Sequence, residues 1–243
     1  MRIPRIFTGQ VLQAESHFDL EPAPSQHLAR ALRMQEGAPI ILFDGRGGQY
    51  AATISNVGKK HVSVLTGTHQ DADVESPLAI HVGISISRGE RMDWVVQKAT
   101  ELGVDQISPL ITERTEVKLK PDRAEKKLHH WQQIATSACE QCGRNRLPVI
   151  HPLTSLSNWL DDSHAELKLV LHHRAENLPT EANPPQSIDL LIGPEGGLSA
   201  DEIQLAERAS FRSLRLGNRV LRTETAPVAA LSILQARWGD MAP

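Results

Sequence analysis

The chain has 243 residues, of which 40% are hydrophobic and 23% are charged, and its formal net charge is −3. This composition is that of an ordinary globular protein, long enough for one large domain or for a small and a medium one. The sequence lacks the roughly 20-residue apolar run of a membrane-spanning helix and the apolar core of a signal peptide, so we expect a cytoplasmic protein. Because the net charge is negative, the protein as a whole does not attract nucleic acid. Any RNA-binding surface must therefore be a local patch of basic residues.

The first segment of the chain alternates short apolar runs with turn signals. The runs cover residues 5–8, 40–43, 50–54 and 62–65, and glycine-containing dipeptides at 44–45 and 47–48 mark turns between two of them. This pattern predicts a small β-barrel. Between its first strands, His27, Arg30 and Arg33 recur at helical spacing opposite Leu28 and Leu32, which indicates either a solvated face or a phosphate-binding one.

An acidic stretch near residues 71–77 separates this segment from a second one, in which strands alternate with helices. Strands are predicted at 79–86, 107–111 and 167–171, and helices at 92–102 and 123–142. Such alternation is typical of a mostly parallel sheet with helices on both faces, so we predict an α/β domain. The boundary is placed after residue 73, which gives domains of residues 1–73 and 74–243.

The stretch from residue 188 to residue 231 carries the clearest sign of a binding site. Residues 188–192 form an apolar run that breaks in the sequence Gly-Pro-Glu-Gly-Gly, as a buried strand does where it ends in a tight loop. Ser199 and Glu202 then form a Ser-x-x-Glu capping box, which predicts a helix start. Adjacent glycines let a ligand approach the main chain closely, although a plain strand-to-helix turn explains them as well.

A second loop favours the binding site over the plain turn. An apolar run at 212–216 ends at Gly217, and a polar cluster precedes residues 226–238, a helix that is apolar on nearly every side and is predicted to be buried. Two consecutive strands thus end in glycine loops at one carboxyl edge of a parallel sheet. Open α/β sheets bind their ligands at such an edge.

Other kinds of site receive less support. The dinucleotide fingerprint Gly-x-Gly-x-x-Gly and the phosphate-binding P-loop pattern are absent from the sequence. His172 and His173 follow a strand without the carboxylate or thiolate partners of a metal site, so no metal is expected. Cys139 and Cys142 lie at the end of a helical pattern rather than at its start, which favours structural thiols over a redox pair.

Five stretches of the chain closely resemble one protein family. They are GPEGGLSADE (193–202), LGNRVLRTETA (216–226), HLARALRMQEG (27–37), RGERMDWVVQKATELGV (88–104) and SACEQCGRNRLP (137–148). The family is the RsmE family, SPOUT-class methyltransferases that modify N3 of a uridine in 16S ribosomal RNA of the small subunit. Asn218 departs from the proline expected there, and its side chain is expected only to affect loop stiffness.

The resemblance implies a fold, a cofactor and an assembly. Residues 1–73 are expected to form a PUA-like β-barrel that helps to bind RNA, and residues 74–243 a SPOUT domain whose C-terminal segment is tied into a trefoil knot. S-adenosyl-L-methionine is expected to sit among the knotted loops, contacted chiefly by backbone atoms. The family also implies a homodimer formed through the knot region.

The resemblance and the basic pattern also assign residues. The cofactor-binding residues are expected to be Leu171, His172, Ile192, Gly193, Pro194, Glu195, Gly196, Gly197, Leu216, Gly217, Leu221, Thr223, Thr225 and Ala226. Arg222 and Glu224 are the candidates for assisting loss of the uridine N3 proton. The predicted RNA contacts are Arg2, Arg5, His27, Arg30, Arg33, Arg88, Arg91, Arg114, Arg144 and Arg146, with Arg144 and Arg146 also candidates for reaching a partner's site.

Two alternatives stay open at this point. The chain is either a methyltransferase of the same class that acts on another RNA base or on a ribose 2′-hydroxyl, or a non-catalytic RNA-binding protein of ribosome assembly. The intact glycine and Arg-Thr-Glu-Thr segments argue against the non-catalytic alternative.

Overall fold

The computed structural model describes residues 3–117, 119–172 and 183–241. The chain divides into two compact units, one made of Met1–Glu75 with Thr136–Leu147 and one made of Ser76–Ala135 with Pro148–Pro243. The first unit therefore takes in a segment that a boundary after residue 73 leaves in the second domain. Within the described ranges, no helix is long and apolar enough to cross a membrane.

The first unit is built on a five-stranded sheet. Its elements are β1 (Arg5–Phe7), β2 (His17–Asp19), α1 (Pro22–Gln26), β3 (Pro39–Phe43), β4 (Gln49–Val57) and β5 (Val62–Gln70). The strand order is β1-β3-β4-β5-β2, with β1 parallel to β3 and the other pairs antiparallel. Alternating residues such as Ile40, Leu42, Ile54 and Val64 fill its core, so the four predicted β-runs are confirmed.

The basic helical segment of this unit differs from its prediction. His27–Ala31 forms a π-helix, in which the Leu32 amide donates to the His27 carbonyl, so side chains three apart do not stand in line as in an α-helix. Leu28 is fully buried, but Leu32 is 40% exposed. His27, Arg30 and Arg33 are all exposed, and Arg33 adopts a left-handed φ of 51°.

Polar contacts hold the segment 136–147 within the first unit. The Glu140 carboxylate accepts a hydrogen bond from the Phe7 amide at 3.0 Å, and burial raises the pKa of this carboxyl. The Arg144 guanidinium, 4% exposed, donates through Nε to Glu75 at 2.9 Å. Cys139 is buried, and burial raises the pKa of its thiol to about 12, which makes it unreactive at neutral pH.

In the described part of the second unit there are seven parallel strands and five helices. They are β6 (Ala79–Ser85), α2 (Arg91–Glu101), β7 (Gln106–Ile111), α3 (Pro121–Cys142, of which Pro121–Ala135 belong here), β8 (Val149–Ile150), β9 (Thr154–Ser155), α4 (Leu156–Asp161), β10 (Leu167–Leu171), β11 (Ser187–Ile192), α5 (Ala200–Arg208), β12 (Arg212–Leu214) and α6 (Thr225–Trp238). The strand order is β12-β10-β11-β6-β7-β8, and β9 also pairs with β7. The predicted strands and helices are confirmed, whereas β8, β9 and α4 were not predicted.

Helices cover both faces of this sheet because alternate strand residues point to opposite sides. Leu190 packs on one face with residues of α2 and α6, whereas Leu191 packs on the other with residues of α4 and α5. The two faces leave little free space: a Cβ at Gly83 would lie 2.6 Å from the Trp159 ring. The sheet is therefore a rigid support for the loops at its ends.

The last helix, α6, is buried on one side only. Ala230, Leu231 and Leu234 are fully enclosed, but Ile233 is 44% exposed. The expectation that this helix is buried on nearly every side is therefore wrong for the single chain.

Candidate active site

The carboxyl ends of three neighbouring strands meet at one edge of the second unit's sheet. Strands β12, β10 and β11 are adjacent and parallel, so the loops that follow them lie side by side. The His172 amide, just after β10, donates to the Leu214 carbonyl at 2.9 Å and ties two of these ends together. The loops enclose a cavity of about 570 Å³, a size common for small-molecule sites.

The loop after β11 is shaped by its glycines and by the helix that follows it. Gly197 has a left-handed φ of 69°, and its amide donates to the Pro194 carbonyl at 2.8 Å. A Cβ at Gly193 would lie 3.0 Å from the Leu198 backbone nitrogen, so only glycine fits there without moving the loop. Both bonds of the Ser199–Glu202 capping box are present, which confirms the predicted start of α5.

Arg114 braces this loop from the strand β7 side. Its Nη1 donates to the Gly196 carbonyl at 2.9 Å, and the Glu113 amide donates to Glu202 at 2.8 Å. A phosphate contact at Arg114, as predicted, would therefore compete with the hydrogen bond from Arg114 to the Gly196 carbonyl inside the cavity. Sequence alone did not indicate this role, because the bond joins residues 82 positions apart.

The loop after β12 closes the other side of the cavity. Gly217 has a left-handed φ of 83°, and the amides of Thr225 and Ala226 both donate to the Arg222 carbonyl at 2.9 Å, which forms the first turn of α6. Thr223 is 8% exposed. This turn holds Arg222 and Glu224 at the cavity wall.

The structure brings the predicted cofactor residues together, with one exception. Thr225 is exposed and does not line the cavity; the others do, as do both candidate catalytic residues. The remaining lining residues, which the sequence analysis did not assign to the cofactor, are Arg91, Arg114, Leu198, Leu214, Arg215, Arg219 and Val220. Five of these seven lie within two residues of assigned positions in the two loops, so proximity along the chain was the available signal.

Among the described residues that line the cavity, two carboxylates lie with five arginines, and both carboxylates are close to Arg91. Arg91 Nη1 donates to Glu195 at 2.6 Å, and its Nε lies 3.9 Å from the Glu224 carboxylate. The Glu224 side chain is 25% exposed, whereas Arg222 is exposed. Glu224 is therefore the more sheltered of the two candidate catalytic groups, and Arg91 fixes its surroundings.

The lining fits S-adenosylmethionine by its chemistry. Two glycine loops present main-chain donors and acceptors to a nucleoside, and a Cβ at Gly197 or Gly217 would meet no atom within 4 Å, so the main chain there is open. Glu195 and Glu224 supply the negative charge that a sulfonium group favours.

The predicted RNA residues fall into two groups. His27, Arg30, Arg33 and Arg146 are exposed in the first unit, and Arg88 is exposed in the second. By contrast, the structure argues against a phosphate contact at Arg144, because its guanidinium is buried and bonded to Glu75. Arg5 also has hydrogen-bond partners, since it donates to Gln49 and Asn145. Arg2, a predicted RNA contact, and His173 lie outside the described residues.

A second cavity, of about 630 Å³, lies at the amino edge of the same sheet. There Ser108 Oγ lies 2.8 Å from His81 Nε2, and His81 Nδ1 lies 3.5 Å from Asp189. The indole of Trp159 also donates to His81 Nε2 at 3.1 Å, so that nitrogen is an acceptor and the ring proton sits on Nδ1. Because Ser108 is 2% exposed, we assign this network to stability rather than nucleophilic catalysis.

Hydrogen bonds hold the buried Asp189 ionised. Burial raises the pKa of its carboxyl, but donors from His81, Ser163 and the Ala165 amide outweigh that effect and leave the pKa below its usual value. Burial, with His81 nearby, lowers the pKa of His151 in the same cavity. Among the described residues, no group of three His, Cys, Asp or Glu side chains is arranged to hold a metal ion.

Comparison with known proteins places these features in a family. Residues 74–235 match the model of an RNA methyltransferase domain, and residues 25–66 match an RNA methyltransferase PUA domain. The chain is 33% identical over 241 residues to ribosomal RNA small subunit methyltransferase E of Buchnera aphidicola subsp. Acyrthosiphon pisum, covering 98% of this chain and 95% of that protein. It is 30% identical to the enzyme of the same name from Bacillus subtilis, covering 93% of each.

Two solved structures agree with the sequence relatives. The chain is 39% identical to ribosomal RNA small subunit methyltransferase E from Neisseria gonorrhoeae bound to S-adenosylmethionine, with a TM-score of 0.93, covering 99% of this chain and 100% of that one. A Legionella pneumophila protein solved with the same cofactor is 42% identical, with a TM-score of 0.94 and the same coverage. The predicted family and SPOUT-type fold are confirmed, and both of these neighbours were solved with the predicted cofactor. The chain belongs to the RsmE family of S-adenosylmethionine-dependent ribosomal RNA methyltransferases.

Proposed function

We propose that this chain transfers a methyl group from S-adenosylmethionine to N3 of one uridine in 16S ribosomal RNA of the small subunit. The observation that carries the proposal is the cavity formed by the loops after β11 and β12, in a chain that matches small-subunit methyltransferases along its whole length. Its substrate places the enzyme in the cytoplasm.

The main contribution of the protein to this reaction is positioning. S-adenosylmethionine, when bound, supplies a methyl group on a positively charged sulfur. The two loops hold the donor from opposite sides, and their fixed turns keep it in line with an acceptor nitrogen. Such alignment is worth about 7 to 11 kcal/mol of the barrier.

The acceptor nitrogen must also lose its proton. We assign Glu224 as the proton acceptor because its carboxylate is sheltered at the cavity wall and lies 3.9 Å from Arg91 Nε. Arg222, two residues away on the same wall, stabilises negative charge that develops on the uracil oxygens. Arg91 is a positioning residue, since its bond to Glu195 leaves its Nε directed at Glu224.

Contacts to the rest of the RNA are proposed for the exposed basic residues. The domain formed by residues 1–73 supplies His27, Arg30 and Arg33 as phosphate contacts, and Arg146 adds a fourth contact in the same compact unit. We propose neither an RNA contact nor a contact with a partner's site for Arg144, because its guanidinium is buried and bonded to Glu75.

We also propose a homodimer formed through α6. On the side away from its enclosed residues, the half-buried or exposed positions are Val228, Ala229, Ser232, Ile233 and Ala236. They follow one another at helical spacing and carry no charge. A second copy of the same helix is the partner that an isologous interface supplies.

Calorimetry and a transfer assay test the proposed activity. The wild-type chain should bind S-adenosylmethionine and transfer a labelled methyl group to small ribosomal subunits that lack it. Gly193→Ala should weaken cofactor binding, because its Cβ forces the Leu198 backbone to move. A folded chain that neither binds the cofactor nor transfers the label would instead be a non-catalytic assembly protein.

A further inference from the structure

A further cavity opens beside the active site. It has a volume of about 860 Å³ and shares Arg91, Glu195 and Glu224 with the cofactor cavity, so the two are continuous. Its remaining lining comes from residues 88–90, Trp94 and Glu116. The continuity places this surface next to the group that we assign as proton acceptor.

Trp94 is unusual among the large side chains of its helix. Met92, Val95, Val96 and Ala99 form the buried stripe of α2, whereas Trp94 lies off that stripe and is 41% exposed. It therefore contributes little to the core. By contrast, Trp131 and Trp159 in the same unit are 3% and 4% exposed.

The first turn of α2 is fixed in place on its other side. Asp93 accepts hydrogen bonds from the Trp131 indole at 3.0 Å and from His130 at 2.8 Å, which ties α2 to α3. The neighbouring Trp94 thus borders the cavity on a rigid element. An exposed aromatic side chain on such an element offers a surface on which a base can stack.

The charges of the cavity favour a neutral ligand over a phosphate. Arg88 pairs with Glu116 at 3.0 Å, and Arg91 is held between Glu195 and Glu224. With Glu90 the lining carries four carboxylates against two guanidinium groups. A phosphate is repelled by such a surface, whereas uracil is neutral, offers a ring face, and presents an N–H donor between two carbonyl acceptors.

We infer that this cavity is the subsite for the acceptor uracil, with Trp94 as its stacking platform. The inference rests on the proposed function, because it names how the same site takes the base. Stacking on Trp94 brings the extruded ring beside the Glu224 carboxylate, which accepts the N3 proton. Arg88 and Arg91 line this cavity paired with carboxylates, so we no longer assign them phosphate contacts.

Substitution of Trp94 in the full-length enzyme tests the inference. Trp94→Leu should lower kcat/KM for small ribosomal subunits by ten- to a hundredfold, the range that loss of one base–aromatic stack produces. Trp94→Phe should retain most of the activity, because a phenyl ring still stacks. The dissociation constant for S-adenosylmethionine should be unchanged in both variants, as should the midpoint of thermal unfolding.

Gln97→Ala is the matched control, since Gln97 is exposed on the same helix and does not line the cavity. It should leave kcat/KM unchanged. A Trp94→Leu enzyme within twofold of wild type, or a Trp94→Phe enzyme as impaired as Trp94→Leu, overturns the stacking role. A lower mass of Trp94→Leu in light scattering also overturns it, because Trp94 is then a subunit contact. Failure of the wild-type enzyme to form 3-methyluridine contradicts the proposed function instead.

Discussion

At the scale of the residue, the proposed activity depends on the side chains at the cavity wall. Glu224 is the clearest case, because its carboxylate is sheltered and lies 3.9 Å from Arg91. Its place at the site follows from the Arg-Thr-Glu-Thr motif. Its ion-pair partner does not, because Arg91 lies 133 positions earlier in the chain and only the fold brings the two together.

Glu224→Gln should lower kcat while leaving the affinity for S-adenosylmethionine unchanged. An amide cannot accept the N3 proton, and loss of a positioned general base typically costs a factor of about 10² to 10⁴. Single-turnover methyl transfer to small ribosomal subunits measures the effect. Glu125→Gln is the control, since that carboxylate is exposed on α3 and lines neither cavity. Equal rates for Glu224→Gln and wild type would remove the assignment.

Asp189 links stability to pH at the opposite edge of the sheet. Its folded-state pKa lies below the usual 3.8, so its ionised form stabilises the fold above about pH 3.8, and that stabilisation is lost as the pH falls through the folded-state pKa. Asp189→Asn should reduce the free energy of unfolding at pH 7 by roughly 1 to 3 kcal/mol, since charged hydrogen bonds are replaced by neutral ones. It should also flatten the decline in acid.

Urea denaturation at pH 7 and at several values between pH 3 and 5 provides the measurement for Asp189. Asp162→Asn is the control, because Asp162 is exposed at the same cavity. An Asp189→Asn chain with the wild-type stability and acid dependence would contradict the assignment of this network to the fold.

At the scale of elements, the sequence predicted features whose interacting residues lie close together in the chain. It did not predict those whose interacting residues lie far apart. The Ser199–Glu202 capping box predicted the start of α5 because both partners lie within one helical turn. The short elements β8, β9 and α4 were missed, since two to six residues carry no periodic pattern. The inclusion of residues 136–147 in the first unit depends on Arg144 meeting Glu75 across 69 positions, and no pattern along the chain encodes that pair.

The exposed side of α6 yields a prediction about assembly. Ile233→Glu should convert the proposed dimer to a monomer, because a carboxylate buried without a partner costs several kcal/mol. Light scattering should give twice the chain mass of 26.8 kDa for wild type and the single mass for the variant. Val149→Glu, which alters another exposed aliphatic residue, should stay dimeric. A monomeric wild type, or a dimeric Ile233→Glu chain, would exclude this interface.

For the molecule as a whole, RNA binding must come from local cations because the net charge is −3. Deleting residues 1–73 is a poor test of RNA binding, since the deletion also removes Phe7 and other residues that contact the segment 136–147. The double substitution His27→Ala, Arg30→Ala leaves those contacts in place. It should weaken binding to small ribosomal subunits and reduce the slope of log K against log salt by roughly one to two units.

Binding titrations at several salt concentrations measure that slope. The double substitution Lys59→Ala, Lys60→Ala removes two exposed cations from the same unit and serves as the control, with no change expected. Cofactor affinity should be equal in all three proteins. An unchanged slope for His27→Ala, Arg30→Ala would show that these side chains do not contact phosphate.

The central claim is that a cavity between two glycine loops methylates N3 of a uridine in small-subunit RNA. The most direct measurement is mass spectrometry of nucleosides from unmethylated small ribosomal subunits incubated with the enzyme and isotopically labelled S-adenosylmethionine. The account predicts that the label appears in 3-methyluridine of 16S ribosomal RNA and is reduced when Gly193→Ala replaces the wild-type enzyme. Label in a ribose-methylated nucleoside or in another base would contradict it.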